Sequence, residues 1–190
     1  VVGPDSATVR RLADADVRRG LPGGNGQLDA DAPTHRIDID VLADAHGTVW
    51  RLDTRDVSVG RDGRSLIAVA PCSPGGAELC HRLESAAVEL VTTVGYRGAA
   101  TVMFATDGNE FVLVDVDTVA APEHATTEER TGASIIGWRL RIQRGEPLPS
   151  DPPADDGVAV EARLLAEDPD RGFAVAPGRL MLLSFPVGTG

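Results

Sequence analysis

The segment Asp115 to Ala125, DVDTVAAPEHA, concentrates the groups that could do chemistry. Asp115 and Asp117 stand two apart, so on a strand they share one face. Such a pair could hold a cation, or could serve as solvated or turn-capping side chains. Glu123 and His124 follow, a carboxylate and an imidazole, the two commonest side-chain types for moving protons. No nucleophile adjoins His124 in sequence, so capping or packing competes with a catalytic role for it. Cys72 and Cys80 lie eight apart and read as free thiols, or as half of a Cys–His pair with His81. His35, His46 and His81 have no metal-ligand spacing, and no metal site is expected. The chain has no lysine, so all 18 basic residues are arginine. Schiff-base chemistry and a lysine nucleophile are therefore excluded. So is a Walker-type phosphate loop, whose motif requires Gly-Lys-Ser/Thr.

These groups must be positioned by a chain of 190 residues, of which 42% are apolar and 25% charged. That size fits one domain with a single core. A net charge of -11 argues against nucleic acid and anionic membrane as partners. No stretch approaches the ~20 apolar residues of a membrane span. Two cysteines are too few for a disulfide framework, which points to the cytoplasm.

The hydrophobic pattern predicts the elements. A capped helix is expected over 5–19, then a Gly/Pro-rich linker over 20–33. His35–Ala43 alternates, with Ile37, Ile39 and Val41 opposite Arg36, Asp38 and Asp40, and reads as a half-buried strand. Strands are expected at 48–52, 65–70, 99–105, 110–116, 158–166 and 178–185. The pair around Thr106-Asp107-Gly108-Asn109 should form a hairpin. Helices are expected at 74–94 and at 125–144, the latter interrupted near Gly132. Trp138 shares a helical stripe with Ile135 and Ile142 and should pack in the core. Pro147 to Asp156 reads as a surface crossing. The sum is an α+β domain, a mostly antiparallel sheet with flanking helices.

Several phrases, in this order, resemble the biotin carboxylase component of acyl-CoA carboxylases, an ATP-grasp family. They are HRIDIDVLADAHGTVWRLDTRDVSV, GYRGAATVMF, DVDTVAAPEHATTEERTG, WRLRIQRGEPLP and VEARLLAEDPDRGFAVAPGRL. The opening VVGPDSATVRRLADADVRR resembles the helix that ends that family's first domain. The resemblance implies an ATP-grasp C-terminal-domain-like fold over 34–190. It also implies a remnant first-domain helix over 1–19, and a 20–33 linker where the family carries its ATP-binding lid. The protein is thus expected to be a pruned, degenerate relative.

Departures from the family pattern fall on its chemistry. Where the family strand G-x-G-T-x-E-F has a metal-binding glutamate, this chain has Met103. Against the family's E-M-N-T-R-x-Q-V-E-H-P, Asp115 replaces the second metal glutamate and Asp117 the asparagine. Val119 replaces the arginine that steadies the reacting anion, and Ala121 a bicarbonate-contacting glutamine. Glu123 matches the proposed bicarbonate base, and Arg163 the arginine that grips bicarbonate and biotin. The family's basic H-Q-K stretch appears as Gly63-Arg64-Ser65. A thioether is a poor ligand for Mg²⁺, and phosphoryl transfer depends on metal and cations. No ATP chemistry and no cofactor are therefore expected.

Two functional readings stay open beside a third, a broken or incomplete fragment with no independent role. In one, a cofactor-independent enzyme of cyclase, isomerase, dehydratase or decarboxylase type acts on a small-molecule substrate. Glu123, Arg163, Asp115 and His124 would be its catalytic groups, and Met103, Val119, Ala121 and Asp117 would line the pocket. In the other, a non-catalytic pseudo-carboxylase scaffolds or regulates a true acyl-CoA carboxylase. Glu123 and Arg163 are expected to be close in space, either as a catalytic pair or as a buried ion pair that orders the fold. A homodimer is expected, with Leu180–Phe185 as a candidate contact.

Overall fold

The computed structural model describes residues 34–118 and 122–184. The expected helix at 5–19 and linker at 20–33 lie outside them. Six strands form one sheet: β1 His35–Ala43, β2 Val49–Arg61, β3 Arg64–Ala70, β4 Gly98–Thr106, β5 Phe111–Asp117 and β6 Ala159–Ala162. Their order is β5-β4-β1-β2-β3-β6, and every pairing is antiparallel. Three helices flank it: α1 Gly76–Thr93, α2 His124–Thr131 and α3 Ile135–Gln143. A two-stranded ribbon, β7 Glu167–Asp168 with β8 Ala174–Val175, lies beyond. The expected α+β, mostly antiparallel architecture is the one observed. No helix among the described residues is long and apolar enough to cross a membrane.

The two faces of the sheet differ in chemistry. Ile37, Ile39 and Val41 of β1, with Val102 and Phe104 of β4, meet Leu79, Leu83, Ala87 and Leu90 of α1. Those helix positions recur at three and four residues, as the sequence pattern requires. Phe104 and Phe111 close this core edge-to-face, ring centroids 5.4 Å apart. On the other face, a second cluster joins Leu42, Trp50 and Leu52 to Ile135 and Ile142 of α3. Trp138 packs there as expected, edge-to-face on Trp50 at 4.9 Å. Asp44 ties the β1–β2 turn to the proline-rich crossing, accepting from the backbone N–H of His46, Thr48 and Leu148.

Three expectations needed correction. β1 is buried on both faces rather than half-buried, because α2 and α3 cover the side that carries Asp38 and Asp40. The second strand runs to Arg61, far beyond Leu52. Its charged DTRD stretch stays in the sheet because Asp53 and Arg55 find opposite charges there. Residues 158–166 contribute only Ala159–Ala162 to the sheet, and among the described residues 178–184 form no strand. No strand pairs with that last stretch, so its backbone has no ladder to join.

Candidate functional site

Cross-strand pairing writes the site onto the α2–α3 face. In one row Asp115 of β5 opposes Met103 of β4, Met103 opposes Asp38 of β1, and Asp38 opposes Arg55 of β2. The next row runs Asp117, Thr101, Asp40, Asp53. Residues directly opposite one another share a face, so both rows line one surface.

The Asp40–Arg55 pair organises this surface. Arg55 is fully buried and clamps Asp40 through both terminal nitrogens, Nη2 to Oδ1 at 2.9 Å. Thr101 and Thr127 donate to the same carboxylate, each at 2.8 Å. Burial by itself pushes the Asp40 carboxyl up. The Arg55 charge and these hydrogen bonds outweigh it and hold Asp40 below the ordinary carboxylate range. Thr127 belongs to α2, so the network also fixes that helix on the sheet. A second pair, Arg130 of α2 with Asp53, is reinforced by Arg130 Nη2 to Asp155 at 2.9 Å.

Asp38 lies beside this network without sharing its satisfaction. It is 7% exposed, and its Oδ1 has no hydrogen-bond partner. Burial raises its pKa from 3.8 to about 6, opposed by Arg55 and assisted by Asp40 and Glu123. Glu161 of β6 behaves similarly. Its Oε2 is buried without a partner, and burial followed by the nearby Glu123 charge pushes its carboxyl up.

Glu123 precedes the first residue of α2 and is 8% exposed. Arg163 follows β6, where its backbone N–H donates to the Leu66 carbonyl at 2.8 Å. The two side chains meet at 3.9 Å, Arg163 Nη1 to Glu123 Oε1, although forty positions separate them. The site therefore gathers Asp38, Glu123 and Glu161 around the buried Arg55, with Arg163 beside Glu123 and Glu161 and Met103 in the strand next to Asp38.

The remaining expected residues fall as follows. His124 sits at the start of α2, its Nε2 3.8 Å from Glu128 Oε1 one turn on. Asp115 accepts from the Val116 backbone N–H at 2.7 Å, and Asp117 lies on the same strand face. Val119 and Ala121 lie outside the described residues. Among the described residues, no group of three or more His, Cys, Asp or Glu side chains is placed to hold a metal ion.

Sequence reasoning missed Asp38, Asp40, Arg55 and Glu161. A signal existed for the two aspartates and for Glu161, whereas Arg55 lies beyond the strand expected at 48–52. Asp38 and Asp40 alternate with Ile37, Ile39 and Val41, and alternation alone sets them opposite the apolar core without showing what covers them. Glu161 stands two before Arg163 and so shares its side of the strand.

Comparison with known proteins gives a consistent picture. The family profile described as "Carbamoyl-phosphate synthase L chain, ATP binding domain" matches residues 31–151. The chain is 39% identical over 159 residues to the mitochondrial methylcrotonoyl-CoA carboxylase subunit alpha of Rattus norvegicus. That match covers 82% of this chain and 22% of the relative. It is 35% identical over 161 residues to a biotin carboxylase of Nostoc, covering 83% of this chain and 36% of that protein. Among solved structures it is similar to the biotin carboxylase domain dimer of Hydrogenobacter thermophilus 2-oxoglutarate carboxylase, bound to MgADP, ADP and bicarbonate. The TM-score is 0.76 at 31% identity, covering 83% of this chain and 35% of that one. A Campylobacter jejuni biotin carboxylase bound to an ATP analogue gives TM-score 0.76 at 26% identity, over 86% and 36%. The chain thus spans about a fifth to a third of the length of these proteins.

Proposed function

The chain belongs to the biotin carboxylase family of ATP-grasp proteins, and from that premise we propose that it does not carry out ATP-dependent carboxylation. In this reading it uses the Glu123–Arg163 cleft for cofactor-independent chemistry on a small organic substrate, of cyclase, isomerase, dehydratase or decarboxylase type. One observation carries the proposal: Glu123 and Glu161 stand beside Arg163, and the buried Asp38 next to them has its carboxyl pushed up to about 6 by burial. A carboxyl poised near neutral pH can give or take a proton during turnover. Glu123 would serve as the partner acid or base. Arg163 would steady a substrate carboxylate or developing negative charge. Met103, Val119, Ala121 and Asp117 would shape the wall, with Asp115 and His124 orienting polar groups.

The donor set argues against Mg-ATP at the same place. Met103 presents a soft thioether between Asp38 and Asp115, where Mg²⁺ requires hard oxygens in near-octahedral array. The short 20–33 interval, expected to stand in for the lid, supports the same conclusion.

Calorimetry with Mg-ATP, and a biotin-dependent assay with bicarbonate, test this reading. Heats no larger than dilution and no ADP release are expected. Micromolar Mg-ATP affinity or carboxylated biotin would overturn it. Once a substrate is in hand, Glu123→Gln and Arg163→Met should each lower turnover about a hundredfold with melting unchanged.

A second reading is favoured by a different observation. Val158, Val160, Leu164, Val175 and Leu180–Leu183 are exposed apolar side chains. Such a surface suits a non-catalytic partner of an acyl-CoA carboxylase, or a homodimer like the Hydrogenobacter domain. Co-elution with a purified acyl-CoA carboxylase, with the cleft variants equally competent, would favour that reading over the enzyme.

A further inference from the structure

Cys72 lies in the loop between β3 and α1, and Cys80 lies one turn into α1. Their sulfurs are 2.6 Å apart, and Cys80 Sγ is 3.5 Å from the Cys72 carbonyl oxygen. Both side chains are half-buried free thiols, reachable from solvent. Neither belongs to the cleft above, because α1 packs on the opposite face of the sheet from α2. Both are also held. The Cys72 backbone N–H donates to the Thr54 carbonyl of β2 at 2.7 Å. Cys80 follows Leu79, which is buried in the core beneath α1.

We propose that Cys72 and Cys80 are a redox modification site, closing reversibly into an intramolecular disulfide that ties the β3–α1 loop to the first turns of α1. Two sulfurs that already meet, each on an anchored stretch of chain, can be bridged by a small adjustment of the side chains. The oxidant is a low-molecular-weight disulfide such as oxidised glutathione. The thiolate of one cysteine attacks it, forming a mixed disulfide and releasing one small thiolate. The second cysteine, as thiolate, attacks the protein sulfur of the mixed disulfide and releases the other. Two protein thiols are oxidised, one small disulfide is reduced to two small thiolates, and the two protons lost by the protein thiols are taken up by those thiolates. Burial, then the neighbouring Cys80 thiol and the Glu84 and Asp56 carboxylates, push the Cys72 thiol up.

The chain offers a clean readout. Trypsin cleaves after Arg64 and Arg82, so both cysteines fall in the single peptide Ser65–Arg82. The full chain is treated with oxidised glutathione, then digested without reductant. The expected result is that this peptide loses two hydrogens in mass and both thiols vanish from an Ellman titration. Melting should rise by roughly 5 °C through closure of a short loop. Dithiothreitol should reverse all three. Cys72→Ser and Cys80→Ser should each instead carry one glutathione adduct, and should melt with the reduced protein. A wild-type peptide that keeps stable glutathione adducts, that crosslinks between chains, or that keeps both thiols overturns the proposal. None of these readouts depends on the function proposed above.

Discussion

At the residue scale, the site turns on how two aspartates of one strand are treated. Asp40 is matched by Arg55, Thr101 and Thr127 and stays ionised. Asp38, two residues earlier, has an orphaned oxygen and a pKa of about 6. The consequence for stability has a definite sign. A carboxyl whose folded pKa lies above its ordinary 3.8 is stabilised in its protonated form. That stability is fully present below pH ~4 and is lost as pH rises through about 6. Asp38→Asn removes the ionisation. The variant should therefore gain on the parent by roughly 1–3 kcal/mol between pH 4 and pH 8. Parallel denaturation curves across that range would contradict the assignment. Arg55 is the counter-case, since removing one partner of a buried, hydrogen-bonded pair leaves the other charged and unmatched.

At the element scale, the carboxylate–arginine cluster depends on α2 being pinned to the sheet, with α1 packed on the other side. α1 begins at a tight contact with the β4–β5 hairpin. Gly75 caps the helix in the left-handed region, φ 73°. A Cβ there would overlap the Leu79 side chain and stand 2.5 Å from the Gly108 carbonyl oxygen. Gly132, which ends α2 at φ 65°, has nothing within 4 Å of its would-be Cβ. Gly132→Ala should thus cost only the left-handed backbone penalty, about 1 kcal/mol. Gly75→Ala adds a steric clash and should cost about 2–3 kcal/mol. Urea denaturation of the two variants side by side separates the terms. Equal losses would mean that the helix–hairpin contact is looser than described.

At the scale of the whole molecule, the sheet ends at an apolar edge. Val158, just before β6, and Val160, within it, are 73% and 64% exposed at the end of the sheet. Leu180–Leu183 add a run of exposed apolar side chains to the described surface. Edge strands and exposed apolar runs favour self-association. Light scattering at micromolar concentration should give the mass of a dimer. Leu182→Glu should shift that mass toward the monomer while melting of the fold is retained. A monomeric parent protein would count against the interface.

The sequence by itself determined the family, the antiparallel α+β architecture, the α1 stripe, the hairpin at Asp107-Gly108 and the packing of Trp138. These follow from local periodicity, turn chemistry and a string of phrases in order, all of which are written along the chain. The pairing of Glu123 with Arg163 was also expected, because a resemblance supplied a partner that spacing could not. Only the tertiary structure decided which charges are buried. Asp38 and Asp40 fall on the polar side of a half-buried strand because alternation in one strand reports two faces and says nothing about what covers each, and Arg55 lies beyond the strand expected at 48–52. Here α2 and α3 cover the polar one. Burial by distant segments is what separates a satisfied aspartate from an unsatisfied one two residues away. It also brings Glu161 from β6 to the same cluster.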